Sequence, residues 1–327
     1  MKKISFRYLN QDDVLSLNIA LDDILLVTEK ALKEHARKAF EMPPKPGIHP
    51  LPGTFIHAMP AFLSDLKIAG LKWVSGFPEN WKTSLPTIIG LLILNDSKTG
   101  LPLCVMDATW LTAIRTAAVS GVAVKYLLRE HSRVLGIVGA GTQGRYNTGM
   151  IKHICPSIKE VIAFDINREQ LDKLQSHVQD TYGLAVKFAP DPKTVFKESD
   201  VVVTATGKQD RPMVERDWLR QGGLYIGLES FRYWGEEALL SVDKFVTDDW
   251  NQAQSFLQNS VHIRNPPHLY GELSEIVINA KRGRETKDEQ IVCIFVGMAI
   301  IDIAFGDLVY RMALEKGVGN ELTLAQF

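Results

Sequence analysis

Five side chains stand in settings where their chemistry is costly unless it is used. Lys72 interrupts the run Gly70-Leu71-Lys72-Trp73-Val74. An ammonium in apolar surroundings needs a partner, and desolvation lowers its pKa and makes it a usable proton donor or acceptor. A lysine snorkelling at a sheet edge is the alternative. Arg115 sits among the small residues Ala113, Ala117, Ala118, Ser120, Gly121 and Ala123. Its planar fork suits a carboxylate or pyrophosphate, or a structural salt bridge. Lys45 follows two prolines, which hold it in place, unless it is simply solvated. His57 lies among apolar residues, as a core histidine or as part of a site. Glu229 ends an apolar run, where it is a general base, a group that orients an amine, or a plain loop carboxylate. No cysteine has a nucleophile setting, no G-x-S-x-G is present, and no metal site has convincing ligand spacing.

A second constellation explains what such a set would serve. The apolar run Val134–Val138 reads as a buried parallel strand and is followed at once by Gly139, Gly141 and Gly144, a G-x-G-x-x-G pattern. Tyr146, Met150, Ile151 and Ile154 then fall at helical spacing, and a second apolar run ends in Asp165, about 20 residues after the last glycine. Strand, glycine turn, helix, strand and acid form the dinucleotide-binding context. Gly139 permits the tight turn, Gly141 lets a pyrophosphate approach the backbone, and Gly144 lets the helix pack on the strand. The first helical N–H groups, in the turn holding Thr142 and Gln143, point at the phosphates. The Asp165 carboxylate would accept from the adenosine ribose and repel a 2′-phosphate, which favours NAD over NADP; Arg168 is the counter-signal. Thr204 and Thr206, at the end of a later strand, are further cofactor-binding candidates.

The remaining sequence must position these groups. Ile4–Leu9 reads as a strand and Asp22 onward as a helix ending near Phe40. Met42-Pro43-Pro44-Lys45-Pro46 cannot be helix or inner strand. Thr54–Met59 is strand-like and is expected to stop at Pro60. Lys67–Val74 alternates, with Ile68, Gly70 and Lys72 on one face. Ile88–Leu94 and Pro102–Met106 read as a hairpin, and residues 109–128 as a helix. From residue 132 to about 250, strands and helices alternate, with further strands at Ala185–Ala189, Asp200–Thr206, Leu224–Glu229 and Lys244–Thr247. Trp250 to about Gly283 reads as mixed or helical. Ile291–Phe295 is one more strand, and a final helix carrying Met298, Ile301, Phe305, Leu308 and Met312 stops before Gly317. The fold class is α/β: a doubly wound parallel sheet of the Rossmann type, plus an N-terminal α+β domain. The expected boundaries are 1–128, completed by 298–327, and 129–297.

Composition bounds the function. Hydrophobic residues at 46% and charged residues at 23% are ordinary for a globular chain. A net charge of −1 without basic or acidic blocks argues against nucleic acid or an anionic membrane as the main partner. Cys104, Cys155 and Cys293 form no C-x-x-C and lie in apolar segments, which fits free thiols in a reducing compartment. The basic pair Lys2-Lys3 is followed within four residues by Ser5, Phe6 and Arg7 rather than by an apolar core, so no signal peptide is expected. The apolar stretch Ile291–Ile301 is too short to span a bilayer. A cytoplasmic location is expected.

On these residues the chain resembles the ornithine cyclodeaminase/mu-crystallin family, and is most similar to its alanine-dehydrogenase-like branch. The segments that carry the resemblance are Met42-Pro43-Pro44-Lys45, Gly70-Leu71-Lys72-Trp73-Val74, Pro78-Glu79-Asn80, Leu85-Pro86-Thr87, Thr112-Ala113-Ile114-Arg115-Thr116-Ala117-Ala118, the glycine fingerprint, Asp248-Asp249, Glu272-Leu273-Ser274-Glu275-Ile276 and Gly297-Met298-Ala299. The resemblance implies a homodimer, an N-terminal substrate and dimerisation domain completed by the C-terminal helix, and chemistry on the Cα–N bond of an amino or imino acid. It implies that Lys72 and Arg115 bind substrate, that Lys72 handles a proton, and that Thr87 and Arg115 lie near the cofactor phosphates or nicotinamide. Lys45 stands where the family usually has arginine for the substrate carboxylate, and Glu229 near its aspartate for the substrate amine. The cyclodeaminase branch has a glutamate where this chain has His57. The run Glu229-Ser230-Phe231-Arg232-Tyr233-Trp234 is bulkier than the glycine-rich segment expected there.

The leading expectation is an NAD-dependent oxidoreductase of a small amino acid or its imine. Lys45 and Arg115 hold the carboxylate, with His57 beside them, Lys72 moves the proton and Glu229 orients the nitrogen. Two other readings stay open: a lyase that uses NAD without net redox change and expels ammonia, and a crystallin-like protein that binds nucleotide without turnover.

Overall fold

The chain begins with strand β1 (Lys3–Leu9) in the computed structural model, which describes residues 3–207 and 211–326. Asn10 then caps α1 (Gln11–Ser16): its side chain accepts from the Asp13 N–H, and the Asp13 carboxylate accepts from the Asn10 N–H. Helix α2 (Leu21–Ala36) buries Ile24, Val27, Ala31 and Leu32 along one stripe. Short strands β2 (Phe40–Glu41) and β3 (Gly47–Ile48) flank the proline-rich loop. Next come β4 (Phe55–Leu63), β5 (Ile68–Gly76), β6 (Ile88–Asp96), β7 (Pro102–Asp107) and helix α3 (Thr109–Leu127).

Strand and helix then alternate. The elements are β8 (Val134–Val138), α4 (Thr142–Ile154), β9 (Glu160–Phe164), α5 (Arg168–Tyr182), β10 (Ala185–Phe188), α6 (Pro192–Glu198), β11 (Val201–Thr204), β12 (Leu224–Gly227), α7 (Glu236–Leu240), β13 (Lys244–Thr247), α8 (Trp250–Gln258), β14 (Leu269–Glu272), α9 (Leu273–Val277) and β15 (Ile291–Ile294). The chain ends with α10 (Ala299–Lys316) and β16 (Asn320–Gln326). Cα packing divides it into two units: residues up to Arg115 together with those from Met298 onward, and Thr116–Gly297. The division falls inside α3, where the sequence placed it after residue 128.

In the first unit the described strands form one sheet in the order β16-β1-β7-β6-β5-β4-β2, with β3 also on β4. All pairs are antiparallel except β1 with β7. Directly opposed residues share a face, so the pairs Met59–Lys72, Lys72–Leu92 and Leu92–Met106 line up on one side. Helix α10 covers that side. A Cβ on Gly70 would lie 2.7 Å from Ile303 Cδ1, and one on Gly306 would lie 2.6 Å from Leu92 Cδ2, so bare backbone on both elements allows the close approach.

One expectation needs correction, and one strand went unread. Strand β4 does not stop at Pro60 but runs on to Leu63, with Pro60 opposite Leu71. On its other side β4 pairs with β3 only at Ile56 and His57, and with β2 only at Phe62 and Leu63. Pro60 falls in the gap between them, where its missing N–H breaks no ladder. The last helix stops before Gly317 as expected, but a strand that the sequence reading did not include follows it. Gly317, left-handed at φ 67°, terminates α10, and β16 returns antiparallel to β1, hidden from periodicity because most of its residues are exposed.

In the second unit the described strands form a sheet in the order β10-β9-β8-β11-β12-β15-β13-β14, every pair parallel. Strands β11, β12, β13 and β15 are buried along their whole length, hence their apolar sequences. The stretch after Trp250, expected to be mixed or helical, supplies β14 between α8 and α9. Strand order reverses between β8 and β11, which places a switch point at the carboxyl ends of those two strands. No helix among the described residues is long and apolar enough to cross a membrane.

Candidate active site

Lys72 is buried without exposure in β5, an interior strand between β4 and β6, which excludes snorkelling at an edge. Its Nζ donates to Asp302 Oδ1 at 2.7 Å, and Arg115 Nε lies 2.9 Å from the same oxygen. Helix α10 thus delivers one buried carboxylate to two cations, one from β5 and one from α3. Burial first, then the Arg115 charge, lowers the Lys72 pKa to about 7, while Asp302 opposes the shift. Asp302 is the residue that sequence reasoning left out of the site. Its signal was a carboxylate inside Ile300-Ile301-Asp302-Ile303 on a helix otherwise packed into the sheet.

His57 shares the sheet face of Lys72, since it stands opposite Val74 while Lys72 stands opposite Met59. Its ring stacks on Phe55 at 4.4 Å and lies over Gly47, where a Cβ would come within 2.3 Å of the imidazole. Burial, then Lys45, His49 and Lys72, push its pKa down to about 4, so it is a neutral wall at physiological pH. The Lys45 charge is thus felt by both His57 and Lys72, and the first unit joins Lys72 and Arg115 through Asp302. Thr87 is not part of this cluster's bonding: it is exposed, and its carbonyl accepts from Phe77 N at 2.8 Å.

The second unit gathers the other candidates at the carboxyl edge of its sheet. Gly139, at φ 99°, makes the turn after β8, and a Cβ there would lie 2.4 Å from Ala205 O. A Cβ on Gly144 would lie 2.4 Å from Gly139 O, so the turn and the start of α4 require both glycines. At Gly141 no atom stands within 4 Å of an added Cβ, and this residue caps α4 without a side-chain hydrogen bond. The cradle is open where a pyrophosphate would lie, and the first N–H groups of α4, around Thr142 and Gln143, are its donors. Gln143 also accepts from Asn147 Nδ2. Asp165 Oδ2 accepts from Ala140 N at 2.7 Å and Oδ1 from Asn167 N at 2.8 Å, so this half-buried carboxylate sets the glycine loop. Arg168 turns away onto the Phe188 ring, 4.5 Å from its centroid, and pairs with Asp172.

Glu229 follows β12 on the same edge. Thr204 Oγ1 donates to its Oε1 at 2.6 Å, and burial raises its pKa to about 7 against the pull of that bond. Thr206 Oγ1 is shielded from solvent. Asp248, after β13, accepts from Gly297 N at 2.6 Å and Val296 N at 3.1 Å and so fixes the chain beyond β15.

The family model described as Ornithine cyclodeaminase/mu-crystallin family matches residues 8–317. The chain is 34% identical to an alanine dehydrogenase of Archaeoglobus fulgidus over 322 residues, 96% of this chain and 97% of the relative. A Thermococcus litoralis Delta(1)-pyrroline-2-carboxylate reductase, solved with NADH and L-proline, superimposes with a TM-score of 0.88 at 31% identity, covering 96% of this chain and 99% of that one. An archaeal alanine dehydrogenase dimer with bound NAD gives a TM-score of 0.88 at 32% identity, covering 98% and 100%.

Proposed function

Because the chain belongs to the ornithine cyclodeaminase/mu-crystallin family, we infer that it is an NAD-dependent oxidoreductase interconverting a small L-amino acid and its imino or keto acid at Cα. The observation that carries the reading is the buried trio Lys72–Asp302–Arg115. Two cations on one carboxylate oxygen leave an excess of positive charge, which a substrate carboxylate neutralises. Arg115 and Lys45 hold that carboxylate, and His57 forms a neutral wall. Lys72, poised near neutrality, exchanges a proton at the substituent on Cα, and Glu229 orients the nitrogen. The glycine cradle and Asp165 seat the dinucleotide, with Asp165 favouring NAD over NADP. The chemistry supplied by a bound nicotinamide is hydride exchange with Cα.

The test is NADH consumption by the purified protein with pyruvate plus ammonium and with Δ1-pyrroline-2-carboxylate. Stoichiometric loss of NADH supports the reading. Ammonia release from a diamino acid with no net change in NADH overturns it in favour of the lyase, and nucleotide binding without any turnover in favour of a crystallin-like role.

We also propose a homodimer built on the sheet face opposite α10. Trp73 and Leu91 are cross-strand partners there, and with Ile89 they are 44%, 45% and 44% exposed, too much apolar surface in one place for a free face. Three free cysteines support a reducing, cytoplasmic location.

A further inference from the structure

Thr204 is the last residue of β11 and is fully buried. Its carbonyl accepts from Leu228 N at 3.0 Å, and its hydroxyl donates to Glu229 Oε1 at 2.6 Å. One residue therefore holds both the main chain and the side chain of the segment leaving β12. The next residue, Ser230, is left-handed at φ 61°, a conformation that costs a non-glycine residue and persists only where neighbours enforce it. Glu229 Oε2 is shut off from solvent and completes no hydrogen bond among the described residues; nor does the buried Trp234 Nε1. The indole is close enough to favour the carboxylate, but the two do not meet in bonding geometry. A carboxyl with one oxygen clamped and the other held dry and unused is costly unless a ligand completes it.

We propose that Thr204 is the positioning residue of Glu229: rather than contacting the nucleotide, it locks one carboxyl oxygen and leaves the other free to orient the substrate nitrogen. The substrate half rests on the oxidoreductase reading, whereas the clamp does not. The groups facing Glu229 are the Thr204 hydroxyl, the Thr206 N–H, Trp234 and Tyr233. Burial pushes the carboxyl up to about 7, and the Thr204 bond pulls it down because it stabilises the charged form. Loss of the hydroxyl must therefore move the pKa further up.

Carboxyl NMR titration of the full chain, labelled with 13C-glutamate and free of ligand, tests this; Glu229→Gln assigns the resonance. The expected midpoint is near 7 in the unsubstituted protein. Thr204→Val, which keeps the shape, should raise it by about one pH unit, and Thr204→Ser should leave it in place. NADH affinity should be unchanged in Thr204→Val. A midpoint in the ordinary carboxylate range, one indifferent to Thr204→Val, or roughly tenfold weaker NADH binding each overturns the proposal. The titration needs no substrate, so a confirmed clamp in a protein that turns over no amino or imino acid counts against the oxidoreductase reading alone.

Discussion

Lys72 and Asp302, one on an inner strand and one in the first turn of the last long helix, meet at 2.7 Å with both side chains fully buried. Arg115 shares the same oxygen, so the carboxylate serves two cations and its loss harms more than the loss of either. Asp302→Asn leaves two buried positive groups facing each other and is expected to destabilise the protein by about 3 kcal/mol, the neutralisation of Lys72 limiting the damage. Lys72→Met leaves Asp302 paired with Arg115 and should cost less than about 1.5 kcal/mol. Urea unfolding of both variants decides. A costlier Lys72→Met means that the lysine, not the carboxylate, is the centre of the cluster.

The same burial gives Lys72 a signature in pH. Its pKa falls from 10.5 to about 7 on folding. Between those values the unfolded chain binds more protons at this site, so the Lys72 contribution to stability improves as pH rises through that window. The stability difference between the unsubstituted protein and Lys72→Met should therefore shift in favour of the former from pH 7 to pH 9. Turnover should vanish in Lys72→Ala while NADH affinity stays nearly intact. Surviving turnover would make Lys72 structural.

The glycine cradle separates shape from binding. An added methyl at Gly144 meets Gly139 O at 2.4 Å, so Gly144→Ala should lower the melting temperature and abolish nucleotide binding together. At Gly141 the methyl enters open space, so Gly141→Ala should leave the melting temperature unchanged and weaken NADH binding at least about tenfold by blocking the pyrophosphate. Calorimetry with thermal unfolding of each variant checks the contrast. Equal affinity in Gly141→Ala would place the phosphates elsewhere.

The elements around these positions were legible because their physics is local. A strand buried on both faces is apolar throughout, and a glycine turn leading into a helix has a fixed spacing. The alternation around Lys72 put it on the same face as Ile68 and Gly70, as observed. What the sequence hid was relational. Pro60 ends a strand by local rules, yet here it faces a gap between two short partners, which no local pattern encodes. β16 is too exposed to carry an alternating signal. Asp302 did not stand out because its two partners lie on elements distant in the chain. The bond from Thr204, expected as a cofactor contact, to Glu229 was hidden because it depends on the register of β11 against β12.

Asp165 ties cofactor choice to loop shape. Its two oxygens accept from Ala140 N and Asn167 N, and the charge that holds those donors is also the charge that would repel a 2′-phosphate. Arg168, engaged with Phe188 and Asp172, offers such a phosphate no ready partner. Asp165→Ser removes the repulsion and shortens the reach to Ala140. NADH should then bind about tenfold more weakly, with NADPH affinity unchanged or improved, so that the preference narrows from both sides. Adding Arg168→Ala should not alter the NADH to NADPH ratio further. If that second change selectively costs NADPH binding, Arg168 swings from Phe188 to the phosphate, and Asp165 alone does not set the preference.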